Sequence, residues 1–245
     1  MHGIILETIL IDYYYTYMID YNQEQHEVSL RKERNLLYTS FSITFIFVLF
    51  IWIIWALDSL FMLNLVKYGV HPRTIIGLRG ILFMPYLHGS FQHILSNTIP
   101  ALILGTVLFN IYPRVALKTI ILIQIFSGIT VWLIGATNSF HIGASGVIFG
   151  IASFLFFSGF FRKDRQSVAI SFFVGMLYGG SMIAGMLPIE LGISWEGHLS
   201  GAIGGFICAL LFKNIDLPKP EIEMLEDSDM DDKPFFEKED YDKLS

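Results

Sequence analysis

Apolar residues run along this chain in six long blocks, separated by short breaks rich in polar residues, glycine or proline. The blocks cover about residues 36–58, 91–112, 117–136, 144–161, 167–188 and 195–212. Each approaches the roughly 20 apolar residues that a helix needs to cross a bilayer core. Full charges within them are confined to Asp58, Lys118 and Glu196, all near block ends. A charge at the bilayer centre costs at least ~2.5–3.5 kcal/mol on insertion scales, so that placement is required rather than incidental. The pattern predicts an all-α polytopic membrane protein, a bundle of six transmembrane helices.

Composition agrees. Of 245 residues, 53% are hydrophobic and 16% charged, against roughly 25% charged in soluble domains. The net charge of -6 belongs to one segment. Residues 214–245 hold 12 of the 22 Asp and Glu but only 4 of the 16 Lys and Arg, and the remainder carries +2. Three regions follow: an N-terminal segment 1–35, a six-span core 36–212, and an acidic tail 213–245 expected to be solvated and disordered. Nothing in this charge pattern points to nucleic acid. Cys208 stands alone in an apolar run and reads as packing. No cleavable signal peptide is evident, because Glu7 breaks the first apolar stretch and no positive charge precedes it. The first span is expected to be its own insertion signal.

Basic residues orient the spans. Arg31, Lys32 and Arg34 precede the first; Arg114 and Lys118 lie between the second and third; Arg162, Lys163 and Arg165 lie between the fourth and fifth; Lys213 follows the sixth. The connections after spans three and five have neither Lys nor Arg. Both termini are therefore expected in the cytoplasm, of a cell (inner) membrane if the source is bacterial. The first external connection, about 59–90, is an exception to the charge rule, with Lys67, Arg73 and Arg79; it is long and apolar and is expected to be structured and partly embedded at the interface.

Chemistry concentrates at a few polar residues flanked by glycine. Ser145 opens the fourth span in Gly143-Ala144-Ser145-Gly146, and His198 lies near the outer end of the sixth in Gly197-His198-Leu199-Ser200-Gly201. An isolated serine in a membrane helix usually bonds a carbonyl or lets helices approach. At a helix N-terminus, however, unpaired N–H groups and the dipole favour developing negative charge. His198, Gly201 and Gly205 share one helix face, and Gly146 and Gly150 form a matching small-residue face on span four. Packing these faces would bring the serine within reach of an imidazole that burial keeps neutral, as a general base requires. No carboxylate lies inside a span to orient it, so a dyad is expected rather than a triad. Phe149, one turn after Ser145, is either plain core or a support for the His198 ring. His93 and Asn97 share a face of span two, and both can donate to an oxyanion; a polar helix–helix bond is the alternative for that pair. His71, His88, His93 and His141 lack metal-ligand spacing, so neither metal nor cofactor is expected.

Three stretches taken together carry a resemblance. His88-Gly89-Ser90-Phe91-Gln92-His93-Ile94-Leu95-Ser96-Asn97, then Gly143-Ala144-Ser145-Gly146, then Gly197-His198-Leu199-Ser200-Gly201 resemble, in order, the signatures of rhomboid intramembrane serine proteases, over about residues 36–212. The resemblance implies Ser145 as nucleophile, His198 as base, and an oxyanion hole made by the Ser145 amide, His93 and Asn97. It also implies an embedded first loop and a mobile fifth span acting as lateral gate. One departure is visible: the Trp-Arg pair common in that loop is absent, and Pro72-Arg73 is the nearest feature.

The reading is an intramembrane serine endopeptidase acting on transmembrane protein substrates within the lipid bilayer. A catalytically silent relative that binds membrane clients is the alternative. A transporter is disfavoured, since internal repeats and intramembrane charges are missing. On the packing of spans four and six, Gly201→Ala is expected to be milder than Gly201→Leu. The topology makes its own prediction. Cysteines at Asn138 and Leu191 should react with an impermeant thiol reagent from outside, and those at Asp164 and Ser228 only after permeabilisation. The opposite labelling would invert the map.

Overall fold

The computed structural model describes residues 2–188 and 194–217, with side chains from Tyr13 onward. The acidic tail beyond Leu217 lies outside the described residues, as do positions 191 and 228 of the labelling experiment. Helix α1 spans His2–Phe61, about 90 Å at 1.5 Å per residue. It runs unbroken through Asn35, so the N-terminal segment and the first span are one helix. Between residues 4 and 61 there is neither glycine nor proline to interrupt it. It stops where Met62 and Asn64 turn left-handed, with φ of 51° and 54°.

The connection that follows is ordered. It contains 3-10 turns at Leu65–Tyr68, Ile76–Arg79 and Met84–Tyr86, with a one-turn helix α2 at Gly80–Phe83 between the last two. Four more long helices follow: α3 Phe91–Ile111, α4 Ala116–Ile134, α5 Ser145–Arg162 and α6 Arg165–Gly185. With α1 these make five helices long and apolar enough to cross a membrane. The sixth expected span forms as α7, Trp195–Leu211. Its 17 residues reach about 26 Å, the short end of what crosses. Among the described residues there is no strand, only an isolated bridge between Val70 and His141.

The core sits around α5. Its membrane segment is 67% buried, whereas that of α6 is 11% buried. It packs on α3, α4, α6 and α7, and its closest association is with α7. Glycine makes that association possible. A Cβ built on Gly201 would overlap the carbonyl of Gly146, and one on Gly205 the carbonyl of Gly150. A Cβ on Gly150 would lie 2.8 Å from the Gly201 carbonyl oxygen. Because 146 meets 201 and 150 meets 205, the two helices run parallel. Lipid tails are as apolar as leucine, so the association rests on close backbone packing and hydrogen bonds. Serines supply the latter: Ser127 on α4 donates to the Gly197 carbonyl at 3.1 Å, and Ser153 on α5 to the Ala202 carbonyl at 2.6 Å. Trp52 Nε1 donates to Thr98 Oγ1 at 2.9 Å, joining α1 to α3.

This geometry narrows the expected gap between Gly201→Ala and Gly201→Leu. The obstacle is a backbone carbonyl, which cannot swing aside as a side chain would, so a single methyl already collides. Gly201→Ala should lower the thermal unfolding midpoint in detergent nearly as much as Gly201→Leu, by the ~1–3 kcal/mol typical of overpacking. Gly180→Ala is the control: nothing lies within 4 Å of its added Cβ, and the helix propensity gained should leave stability unchanged or slightly raised. A Gly201→Ala protein as stable as wild type would show that α5 and α7 are not in backbone contact there.

Candidate active site

Ser145 is the first residue of α5 and is half-buried. Gly143 places it there. Its φ of +107° suits glycine and strains other residues. Its N–H donates to the Met84 carbonyl at 2.7 Å, which clamps the approach to α5 against the first loop. The N–H of Ser145 belongs to the first helical turn and has no acceptor within the helix. It also lies at the positive end of the helix dipole.

His198 sits in the first turn of α7 and is buried. Its Nδ1 is 2.9 Å from the carbonyl of Gly185, at the end of α6. A carbonyl only accepts, so Nδ1 carries the proton and Nε2 is the basic nitrogen. The Phe149 ring stacks on the imidazole, centroids 4.0 Å apart and planes 10° from parallel. Gly146 meets the carbonyl of Gly197, the residue before His198, with its built Cβ 3.2 Å from that oxygen. The starts of α5 and α7 are thus held backbone to backbone beside both residues.

His93 and Asn97 come to the same place from α3. A Cβ on Gly143 would lie 2.6 Å from His93 Nε2 and 3.7 Å from Asn97 Nδ2. Both side chains therefore flank the turn that leads into Ser145. Around the start of α5 lie a hydroxyl, an imidazole protonated at Nδ1, a backbone N–H with no acceptor inside its own helix, and the His93 and Asn97 side chains. Such a set can generate a nucleophile and receive an oxyanion.

Two histidines to which the sequence assigned no role, His141 and the His88 that opens the first signature stretch, hold this frame together. His141 Nδ1 lies 2.8 Å from Ser194 Oγ, and that same oxygen caps α7 by accepting from the Gly197 N–H. The backbone of His141 pairs with Val70 in both directions. His88 Nε2 lies 3.0 Å from Asn97 Nδ2. Burial, with a further contribution from His93, pushes the pKa of His88 down from 6.5 to about 4. Arg73 is a third contact unforeseen in the sequence. It donates to the carbonyls of Leu133 and Gly135 at 2.9 and 3.0 Å, satisfying the C-terminus of α4. None of these partnerships has a periodic signal, because each joins a loop residue to a distant element.

A cavity of about 10 Å³ lies beside Ser145, lined by Met84, His141, Gly143, Gly146, Ser194 and Gly197 among others. That is room for about one water molecule.

Residues 77–215 match the Rhomboid domain family, a range that contains His88, His93, Asn97, Ser145 and His198. The chain belongs to the rhomboid family. Among its relatives, an uncharacterized protein of Mycobacterium tuberculosis and one of Mycobacterium bovis are each 36% identical over 172 residues, covering 67% of this chain and 72% of theirs. An uncharacterized protein of Mycobacterium leprae is 35% identical over 173 residues, covering 67% of this chain and 68% of its own. This rhomboid is an integral, multi-pass membrane protein.

The buried His88 sets a pH dependence. Unfolded, its ring takes up a proton near 6.5; folded, only near 4. Between those values the unfolded chain binds more protons, so stability falls as pH falls across that window. Unfolding in detergent from pH 7 to pH 4 should show a steeper loss for wild type than for His88→Asn. Identical slopes would mean that His88 is not a buried neutral group.

Proposed function

We propose that this rhomboid is an intramembrane serine endopeptidase, hydrolysing peptide bonds in or near the transmembrane segments of other membrane proteins through a Ser145–His198 dyad. The observation that carries the reading is the bond from His198 Nδ1 to the Gly185 carbonyl, 2.9 Å. It fixes the tautomer that a general base needs, a task often given to a carboxylate, and Phe149 fixes the plane of the ring. In this reading Nε2 accepts the Ser145 Oγ proton as the oxygen attacks the scissile carbonyl. The resulting oxyanion is held by the Ser145 N–H, His93 and Asn97. His198 then returns the proton to the leaving amine, and water hydrolyses the acyl-enzyme by the same route in reverse.

The catalytically silent alternative is disfavoured by completeness, since Ser145, an oriented His198, His93 and Asn97 are all present, the last two beside the turn that leads into Ser145. Both termini are assigned to the cytoplasm by the basic residues already noted, which puts the site near the outer face. The cavity beside Ser145 has room for about one water molecule, so in this reading an element moves to admit a peptide. Helix α6 is the element with least to lose, being 11% buried and packed chiefly on α5. A regular helix shields its own carbonyls, so substrates should carry helix-weakening glycine or proline near the cut.

Purified protein reconstituted with a model transmembrane substrate tests the reading. Ser145→Ala and His198→Ala should each fall to the no-enzyme rate while unfolding at the wild-type temperature. A fluorophosphonate should label Ser145 in wild type alone. Asn97→Ala should keep activity reduced on the order of 10²–10³-fold, the usual loss of one oxyanion donor. Turnover by the Ser145→Ala protein would refute the dyad.

A further inference from the structure

We propose that His88 is a positioning residue for the Asn97 amide: by accepting one Asn97 N–H at Nε2, it turns the amide nitrogen, and not the oxygen, toward the Gly143 side of the site. This rests on the reading of Asn97 as an oxyanion donor. An asparagine amide has nearly the same shape in its two flipped orientations, but one presents donors and the other an acceptor. An acceptor facing the oxyanion would repel it. Whatever bonds to the amide from behind therefore decides whether Asn97 helps or hinders.

His88 is built for that choice. It is 3% exposed, and its Nε2 lies 3.0 Å from the Asn97 nitrogen. An amide nitrogen only donates, so with Asn97 Nδ2 facing it Nε2 must accept and the ring proton sits on Nδ1. In that tautomer Nε2 offers a lone pair that an Asn97 N–H satisfies and that the amide oxygen could not. One of the two amide hydrogens is used, and the other remains for the side where the nitrogen approaches Gly143. A protonated His88 would reverse the amide by making Nε2 a donor; its depressed pKa of about 4 prevents this at neutral pH. The His88 and His93 rings also meet edge to face, centroids 4.9 Å apart, so one loop residue borders both side-chain donors. The turn Met84–Tyr86 that precedes His88 also supplies the carbonyl that clamps Gly143. The same short segment thus sets the donor and the backbone it faces.

The test is a double-mutant cycle in the reconstituted cleavage assay, with Ser145→Ala as control and thermal unfolding measured in parallel. His88→Leu should lower kcat by about tenfold to a hundredfold at unchanged KM, short of or equal to the loss from Asn97→Ala. His88→Gln, whose side-chain oxygen can accept the same N–H, should recover most of that rate. In the Asn97→Ala background, His88→Leu should cost nothing further. If His88→Leu does not fold, His88→Met is read in its place. The proposal is overturned if His88→Leu cleaves like wild type, if its loss multiplies with that of Asn97→Ala, or if His88→Gln falls as far as leucine. Cleavage that survives in Ser145→Ala would instead bring down the proposed function itself, so the two failures are told apart.

Discussion

The backbone contact between α5 and α7 is the constraint on which the rest of this structure depends. Without a hydrophobic drive between helices in lipid, two spans associate through dispersion and hydrogen bonds, both of which weaken quickly with distance. Gly146, Gly150, Gly201 and Gly205 remove the side chains that would hold the axes apart. The carbonyls of Gly146 and Gly150 then occupy the space where a Cβ on the facing helix would stand. Because the contact begins at residues 146 and 197, it also sets the separation of the two helix starts. Ser145 and His198 lie at those starts.

Around that seam polar groups bond one another in a medium that offers no water. Ser127 bonds both the Gly197 carbonyl and Ser200. At the other end of the bundle Tyr112 donates to Ser167 at 3.0 Å, with the Arg162 guanidinium 4.7 Å over its ring. The Ser127 bonds join α4 to α7, and the Tyr112 bond ties the end of α3 to the start of α6. Helix α6 is thus anchored at its first turns, where Ser171 also donates to the Phe156 carbonyl, while the Gly185 carbonyl at its far end holds the His198 ring. Any displacement of that end would be felt at the imidazole.

The loop between α1 and α3 works as scaffold rather than cover. It pairs with the chain just before α5 through Val70 and His141, clamps Gly143 through Met84, and ties down the end of α4 through Arg73 and Trp132, the latter donating to the Thr74 carbonyl at 2.8 Å. The Arg73 guanidinium meets the carbonyls of Leu133 and Gly135 at the end of α4, so an exposed loop arginine is a structural cap.

How much was legible in the sequence depended on whether the signal was local. The six spans were, because burial in lipid demands runs of about 20 apolar residues, and five of the observed helices begin and end within a few residues of those runs; the first runs on far before its apolar block, from His2. The glycine faces were legible too, since a helix repeats at a fixed angle and spacings of four betray a shared stripe. Ser145, His198, His93 and Asn97 stood out as polar residues in apolar surroundings. What the sequence could not carry were contacts across loops: His88 with Asn97, His141 with Ser194, Arg73 with α4, and the Gly185 carbonyl with His198. The last involves a backbone atom that every residue possesses, so no residue type marks it. The severity of a methyl at Gly201 was likewise decided only in three dimensions, because spacing names the face that packs but not the distance at which a carbonyl confronts it.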